Sequence, residues 1–86
     1  MAHHKDAIKR IKQNAKRNAR NRHYRTRMRN QIKAVRAAVD NGDKDAAQAE
    51  FRKAVSIIQR VASKGVIHRN QAARRISRLS AAVKAV

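Results

Sequence analysis

No proline interrupts this chain, and its two glycines, Gly42 and Gly65, fall where the spacing of apolar residues breaks. Without proline every backbone N–H remains available to a helix, so the glycines are the natural stops. They divide the chain into three helical segments, and nothing alternates at period two for long enough to suggest a strand. The first segment runs unbroken to about Asp40 and is by far the longest.

Residues 40–43 read as a helix end followed at once by a helix start. Asn41 or Gly42 can take the left-handed conformation that closes a helix, and the Asp43 carboxylate can accept the free amides that open the next. Asp45 then sits in an early turn, where a negative charge suits the dipole, with Glu50 further along. Capping accounts for Asp43 and Asp45 better than a catalytic pair does, since no nucleophile, metal-ligand set or further acid accompanies them.

In the second segment Ala47, Phe51, Ala54, Val55, Ile58, Val61 and Ala62 recur at three- and four-residue intervals and form one apolar stripe. Residues 63–65 close it. Ala72, Ile76, Leu79, Val83 and Val86 form the seam of a third helix that starts near Ile67 or His68, with Arg74, Arg75 and Arg78 opposite.

The first segment carries two stripes. At about 100° per residue, Ile8, Ile11, Ala15 and Ala19 cluster near 20–100° on a helical wheel, whereas Met28, Ile32, Val35 and Val39 cluster near 260–320°. One straight partner helix cannot cover both. Length agrees: about 36 residues span roughly 54 Å, while helices of about 20 residues span roughly 30 Å. The expected fold is all-α, a three-helix bundle with a long first helix whose N-terminal half overhangs the bundle. The chain then forms one domain over residues 1–86, with an extended basic arm at about 5–27 and the bundle at about 28–86.

Charge explains what the overhang is for. From Lys5 to Arg36 stand thirteen Lys or Arg residues against one acid, Asp6, and the whole chain carries a formal charge of +18. Residues 1–36 hold +12, residues 37–65 hold +1 and residues 66–86 hold +5. Such a run repels itself, and nothing within the chain can screen it. Neutralising a phosphate backbone suits it physically, because each cation that reaches a phosphate releases condensed counterions. Lys9, Lys12, Lys16, Arg20 and Arg27 share one side of the helix, with Arg10 and Arg17 beside them. Arg22, Arg25, Arg29, Lys33 and Arg36 gather on another. The basic surface winds around the helix, which suits contact with more than one nucleic-acid segment.

Other classes fit less well. Tyr24 and Phe51 are the only aromatic rings, and Phe51 belongs to the seam, so there is no stacking platform for single strands. Folded RNA is the better target. A DNA-compacting nucleoid protein would share the charge but would bring a groove-reading helix or a dimerisation seam. A membrane-surface peptide would need bulky apolar residues opposite its charge, and residues 12–27 lack them. The absence of cysteine removes disulfides and thiolate metal sites and suits a reducing cytoplasm. The opening residues lead into no apolar signal region, and no run approaches a membrane span. His3 and His4 read as tail. No catalytic residue, cofactor or metal is expected.

The residues themselves resemble a known family. Ala-Ile-Lys-Arg-Ile-Lys-Gln-Asn (7–14), Arg-Asn-Arg (20–22), Arg-Thr-Arg-Met-Arg (25–29) and, most specifically, Lys-Gly-Val-Ile-His-Arg-Asn-Gln-Ala-Ala-Arg-Arg-Ile-Ser-Arg-Leu (64–79) are similar to the S-twenty family of the bacterial small ribosomal subunit. The resemblance covers nearly the whole chain. It implies a three-helix bundle bound directly to small-subunit ribosomal RNA, bridging the 5′ domain to the lower part of the long penultimate RNA helix. It also implies a cytoplasmic, ribosome-bound monomer that is not an enzyme, acts in subunit assembly, and touches other ribosomal proteins only peripherally. After Leu79 the chain is less basic than the family's members, which argues against RNA contact by the last turn.

Charge, polarity and resemblance together give a set of candidate RNA contacts. On the first helix these are Lys5, Lys9, Arg10, Lys12, Gln13, Asn14, Lys16, Arg17, Arg20, Asn21, Arg22, Arg25, Arg27 and Arg29. Around the third helix they are Lys64, His68, Arg69, Asn70, Arg74, Arg75 and Arg78. At the start of the third helix, free amides offer a phosphate site beside Arg69 and Asn70. His68 or Asn70 can equally be a plain capping residue, and the two roles can coexist. Tyr24 either meets a base or sugar or lies over neighbouring arginine stems.

Overall fold

The computed structural model describes residues 2–86, with side chains described from Asp6 onward. Lys5, His3 and His4 lie outside those described side chains. Three helices follow in order: α1 (Ala2–Asp40), α2 (Lys44–Ser63) and α3 (Arg69–Lys84). No strand occurs among the described residues. The molecule is a rod of 62 × 20 × 14 Å, its long axis set by the 39-residue α1.

Both glycines close helices by one device. Gly42 has φ +70° and Gly65 φ +76°. At the end of α1 the Gly42 N–H donates to the Val39 carbonyl at 3.0 Å and the Asp43 N–H to that of Ala38 at 3.1 Å. At the end of α2 the Gly65 N–H donates to Ala62 at 3.0 Å and the Val66 N–H to Val61 at 3.2 Å. These paired bonds satisfy orphan carbonyls in the Schellman pattern, and buried Val66 lies over buried Val61 as that pattern favours.

The starts are capped by side chains. Asp43 Oδ1 accepts the Ala46 N–H at 3.1 Å, and His68 Nδ1 accepts the Asn70 N–H at 3.1 Å. The third helix therefore begins at Arg69, one or two residues later than the apolar spacing suggests, because His68 is extended at ψ 146° and serves as cap.

The core is narrow. Met28, Ile32, Val35 and Ala38 of α1 meet Ala47, Ala54, Ile58 and Val61 of α2, Val66 of the turn, and Ala72, Leu79 and Val83 of α3. Four of these twelve are alanines, so the helix backbones must approach closely to fill the space. The seam differs at its edges from the one-stripe reading. Phe51, Val55, Ala62 and Ile76 are half-buried, and Val86 falls beyond α3 and is also half-buried. On α1, Ala38 is buried whereas Val39 is only half-buried, because α1 is flanked by two helices and its covered face widens toward α2.

Among the described residues, the first stripe of α1 is left uncovered. Every residue from Asp6 to Arg20 is exposed, including Ile8 at 46% and Ile11 at 68%. Half-burial begins at Asn21 and full burial at Met28. The helix overhangs its bundle.

Candidate nucleic-acid interface

The overhang presents Lys9, Arg10, Lys12, Gln13, Asn14, Lys16, Arg17 and Arg20, all exposed, and its only described acid is Asp6. Among the described residues the single ion pair is Lys53–Glu50 at 3.6 Å, so no carboxylate neutralises any of these cations. Helical geometry keeps like charges three or four positions apart on neighbouring sites, where they repel. Among the described residues no ion pair offsets that repulsion.

Further along α1 the surface becomes a groove. Asn18, Asn21, Arg22, Arg25, Thr26 and Arg29 line a polar depression. Asn21 is half-buried there, and its Oδ1 is shielded from solvent with no donor within the protein. An acceptor left in that state costs free energy unless an external donor reaches it. Tyr24 also turns toward the bundle. Its ring is half-buried, packs against the core and meets the His23 ring edge-on, with centroids 5.6 Å apart at 67°. Tyr24 extends the core where the bundle ends.

The remaining candidates cluster at the turn between α2 and α3. Lys64, His68, Arg69 and Asn70 are exposed there, as are Arg74 and Arg78 on α3, while Arg75 is half-buried. Gln31 contacts Glu50, which marks the antiparallel register of α1 and α2. Counting thirteen residues along each helix from that contact puts Ser63 level with about residue 18 of α1, since both helices rise equally per residue. The α2–α3 turn thus sits beside the base of the overhang, and the two cationic regions adjoin.

His68 resolves as the cap of α3 through Nδ1. Its bond occupies the Asn70 amide. The first intrahelical bond runs from Ala72 to the His68 carbonyl, so the Arg69 and Gln71 amides take no part in the helix ladder.

Two cations of α2 have no place in the basic surface read from the sequence. Arg52 and Lys53 share an open groove between α1 and α2 with Arg27, Asn30, Gln31 and Ser56. Arg36 meets Arg75 and Arg78 across the opposite side, between α1 and α3. The sequence already groups Arg36 with Arg22, Arg25, Arg29 and Lys33, but not with Arg75 and Arg78. The groove on α2 needs the pairing of helices, which composition does not give.

No helix among the described residues is long and apolar enough to cross a membrane. Among the described residues no group of three or more His, Cys, Asp or Glu is placed to hold a metal.

Fold and surface define a small, strongly cationic, all-helical protein with an uncovered basic helix. The sequence profile of the family described as ribosomal protein S20 matches residues 2–84. The Small ribosomal subunit protein bS20 of Oleidesulfovibrio alaskensis is 57% identical over 86 residues, covering 100% of this chain and 99% of that protein. Its namesake from Trichlorobacter lovleyi is 56% identical over 80 residues, 93% of this chain and 92% of that one. A third, from Nitrosomonas eutropha, is 54% identical over 86 residues, 100% and 99%. This chain belongs to the ribosomal protein S20 family, whose members are structural constituents of the ribosome and not enzymes.

Proposed function

We propose that this protein binds small-subunit ribosomal RNA directly and holds RNA helices together as the subunit assembles. One observation carries this reading: residues 6–20 of α1 are exposed on every face, rich in Lys and Arg, and unpaired with any acid. A cationic rod of this kind lowers the repulsion between neighbouring phosphate backbones, and each contact releases counterions. The names of its relatives place those proteins in the small ribosomal subunit and support RNA as the polyanion.

The contacts fall into two adjoining groups. Lys5, Lys9, Arg10, Lys12, Gln13, Asn14, Lys16, Arg17 and Arg20 act from the overhang, continuing through Asn21, Arg22, Arg25, Arg27 and Arg29. Lys64, His68, Arg69, Asn70, Arg74, Arg75 and Arg78 act from the turn and α3. Residues 5–27 serve as the RNA-binding arm and residues 28–86 as the bundle that positions it. The protein works as a monomer within cytoplasmic ribosomes and touches other ribosomal proteins only at its margins.

Footprinting on full-length small-subunit ribosomal RNA tests the reading. Protection should appear on separate RNA helices at near-physiological salt. Equal affinity for an unrelated DNA duplex under the same conditions would overturn it in favour of a DNA-compacting role.

A further inference from the structure

On the α1–α3 side of the bundle, opposite the open α1–α2 groove, a narrow cleft of about 120 Å³ is lined by Ile32 and Arg36 of α1 and by Arg75, Arg78, Leu79 and Ala82 of α3. Its lining combines apolar residues with three arginines. None of the chain's five acids lines it, and among the described residues none of the three arginines pairs with a carboxylate. Arg75 is half-buried, and its Nε is shielded from water with no hydrogen-bond partner.

Three cations converging on one site repel each other, and a shielded guanidinium N–H without an acceptor adds a further cost. A shared anion relieves both at once. It brings several acceptor oxygens to a set of planar, forked donors, and apolar walls strengthen the attraction by excluding water. Arg75 and Arg78 stand three residues apart on one face of α3, while Arg36 lines the same cleft from α1. The α1–α3 contact is also the least extensive of the three helix pairings.

We propose that Arg36, Arg75 and Arg78 form a binding site for one phosphate group, filled in the ribosome by a backbone phosphate of the RNA, and that its occupation locks α3 against α1. The choice of RNA as the source rests on the function proposed above, whereas the anion site itself does not. Binding at this cleft couples RNA capture to the stability of the bundle, because the ligand favours the packed state over one with α3 detached.

Two measurements on the full chain test this. In the first, without RNA, thermal unfolding is compared in inorganic phosphate and in sodium chloride at matched ionic strength. At about ten times the dissociation constant of the site, phosphate should raise the melting temperature by about 6 to 11 °C. Arg75→Lys, which keeps the charge but removes the fork, and Arg78→Gln, at an exposed position, should each abolish most of that rise. Lys44→Gln removes a charge elsewhere and should retain it. Equal stabilisation of all four proteins would overturn the site, since phosphate would then act only by general exclusion from the surface.

In the second, affinity for folded small-subunit ribosomal RNA is measured across salt concentrations. Arg75→Gln with Arg78→Gln should make the slope of log affinity against log salt shallower by about 0.7 to 0.9, the loss of one phosphate contact. An unchanged slope, alongside loss of phosphate stabilisation, would overturn RNA as the occupant and leave a site for free phosphate. Neither result bears on whether the parent protein prefers ribosomal RNA, which the footprinting experiment decides separately.

Discussion

Gln31 of α1 donates through Nε2 to both the carbonyl oxygen and the carboxylate Oε2 of Glu50 on α2, at 3.0 and 2.6 Å. Among the described residues it is the only side-chain hydrogen bond between two helices. The three-residue connection 41–43 limits sliding of α2 along α1, and the Gln31–Glu50 pair fastens the two helices about ten residues further from that turn. The pair marks the register that carries the basic α2–α3 turn to the base of the overhang.

Gln31→Ala should therefore lower stability by about 1 kcal/mol, because a partly buried bond to a charged group is lost, and the melting temperature should fall by about 4 to 8 °C. Lys53→Ala should do almost nothing, since the Lys53–Glu50 pair is long and its lysine well exposed. Circular-dichroism melts check both. A Gln31→Ala melt within about a degree of the parent would mean that the apolar seam alone sets the register.

The core offers a harsher test. Ile58 has no exposed surface. Ile58→Asp would place a carboxylate without a partner in a bundle whose total stability is only a few kcal/mol, and the bundle should unfold. Melting like that of the parent would remove Ile58 from the core.

Gly65 is tested by its backbone alone. A Cβ there would meet nothing within 4 Å, so any cost of substitution comes from φ +76° rather than from crowding. Gly65→Ala should destabilise by about 1 to 2 kcal/mol, and Gly65→Asn by less, because asparagine visits the left-handed region more readily. Equal denaturation midpoints for alanine and asparagine would contradict that account.

The arm has no tertiary support. Residues 6–20 are helical in the structure yet touch no other element, so only local propensity holds them. Amide exchange should be fast there in RNA-free protein and slow around Ile32 and Ile58, with protection spreading along the arm when RNA binds. Slow exchange throughout residues 6–20 without RNA would show that the helix needs no partner.

What the sequence makes legible is whatever acts locally. Gly42, Gly65 and Asp43 announce helix ends because their conformations and hydrogen bonds lie within a few residues. The overhang follows from counting helix lengths against one another. Features that depend on two helices meeting are not legible: Ala38 enters the core ahead of the larger Val39 because of where α2 lies. Tyr24 is half-buried because the bundle ends beside it. The convergence of Arg36 with Arg75 and Arg78 joins positions about forty residues apart and leaves no local trace.

The last prediction separates RNA recognition by shape from indiscriminate cationic attraction, which counting charges cannot do. Arg10 and Arg17 are exposed on the overhang, whereas Arg69 and Asn70 are exposed at the start of α3, beside the overhang's base. Arg10→Ala with Arg17→Ala should weaken binding to every nucleic acid and reduce the salt slope by about 0.7 to 0.9 per lost phosphate contact. Arg69→Ala with Asn70→Ala should instead reduce the preference for folded ribosomal RNA over an unrelated duplex. On the function proposed above, those two residues would engage RNA only where a second segment lies against the bundle, which an unrelated duplex would not supply. Competition binding at near-physiological salt reads the two effects independently. If the Arg69 and Asn70 variant loses affinity for ribosomal RNA and for the duplex in equal proportion, the turn contributes charge alone and the bundle does not direct recognition.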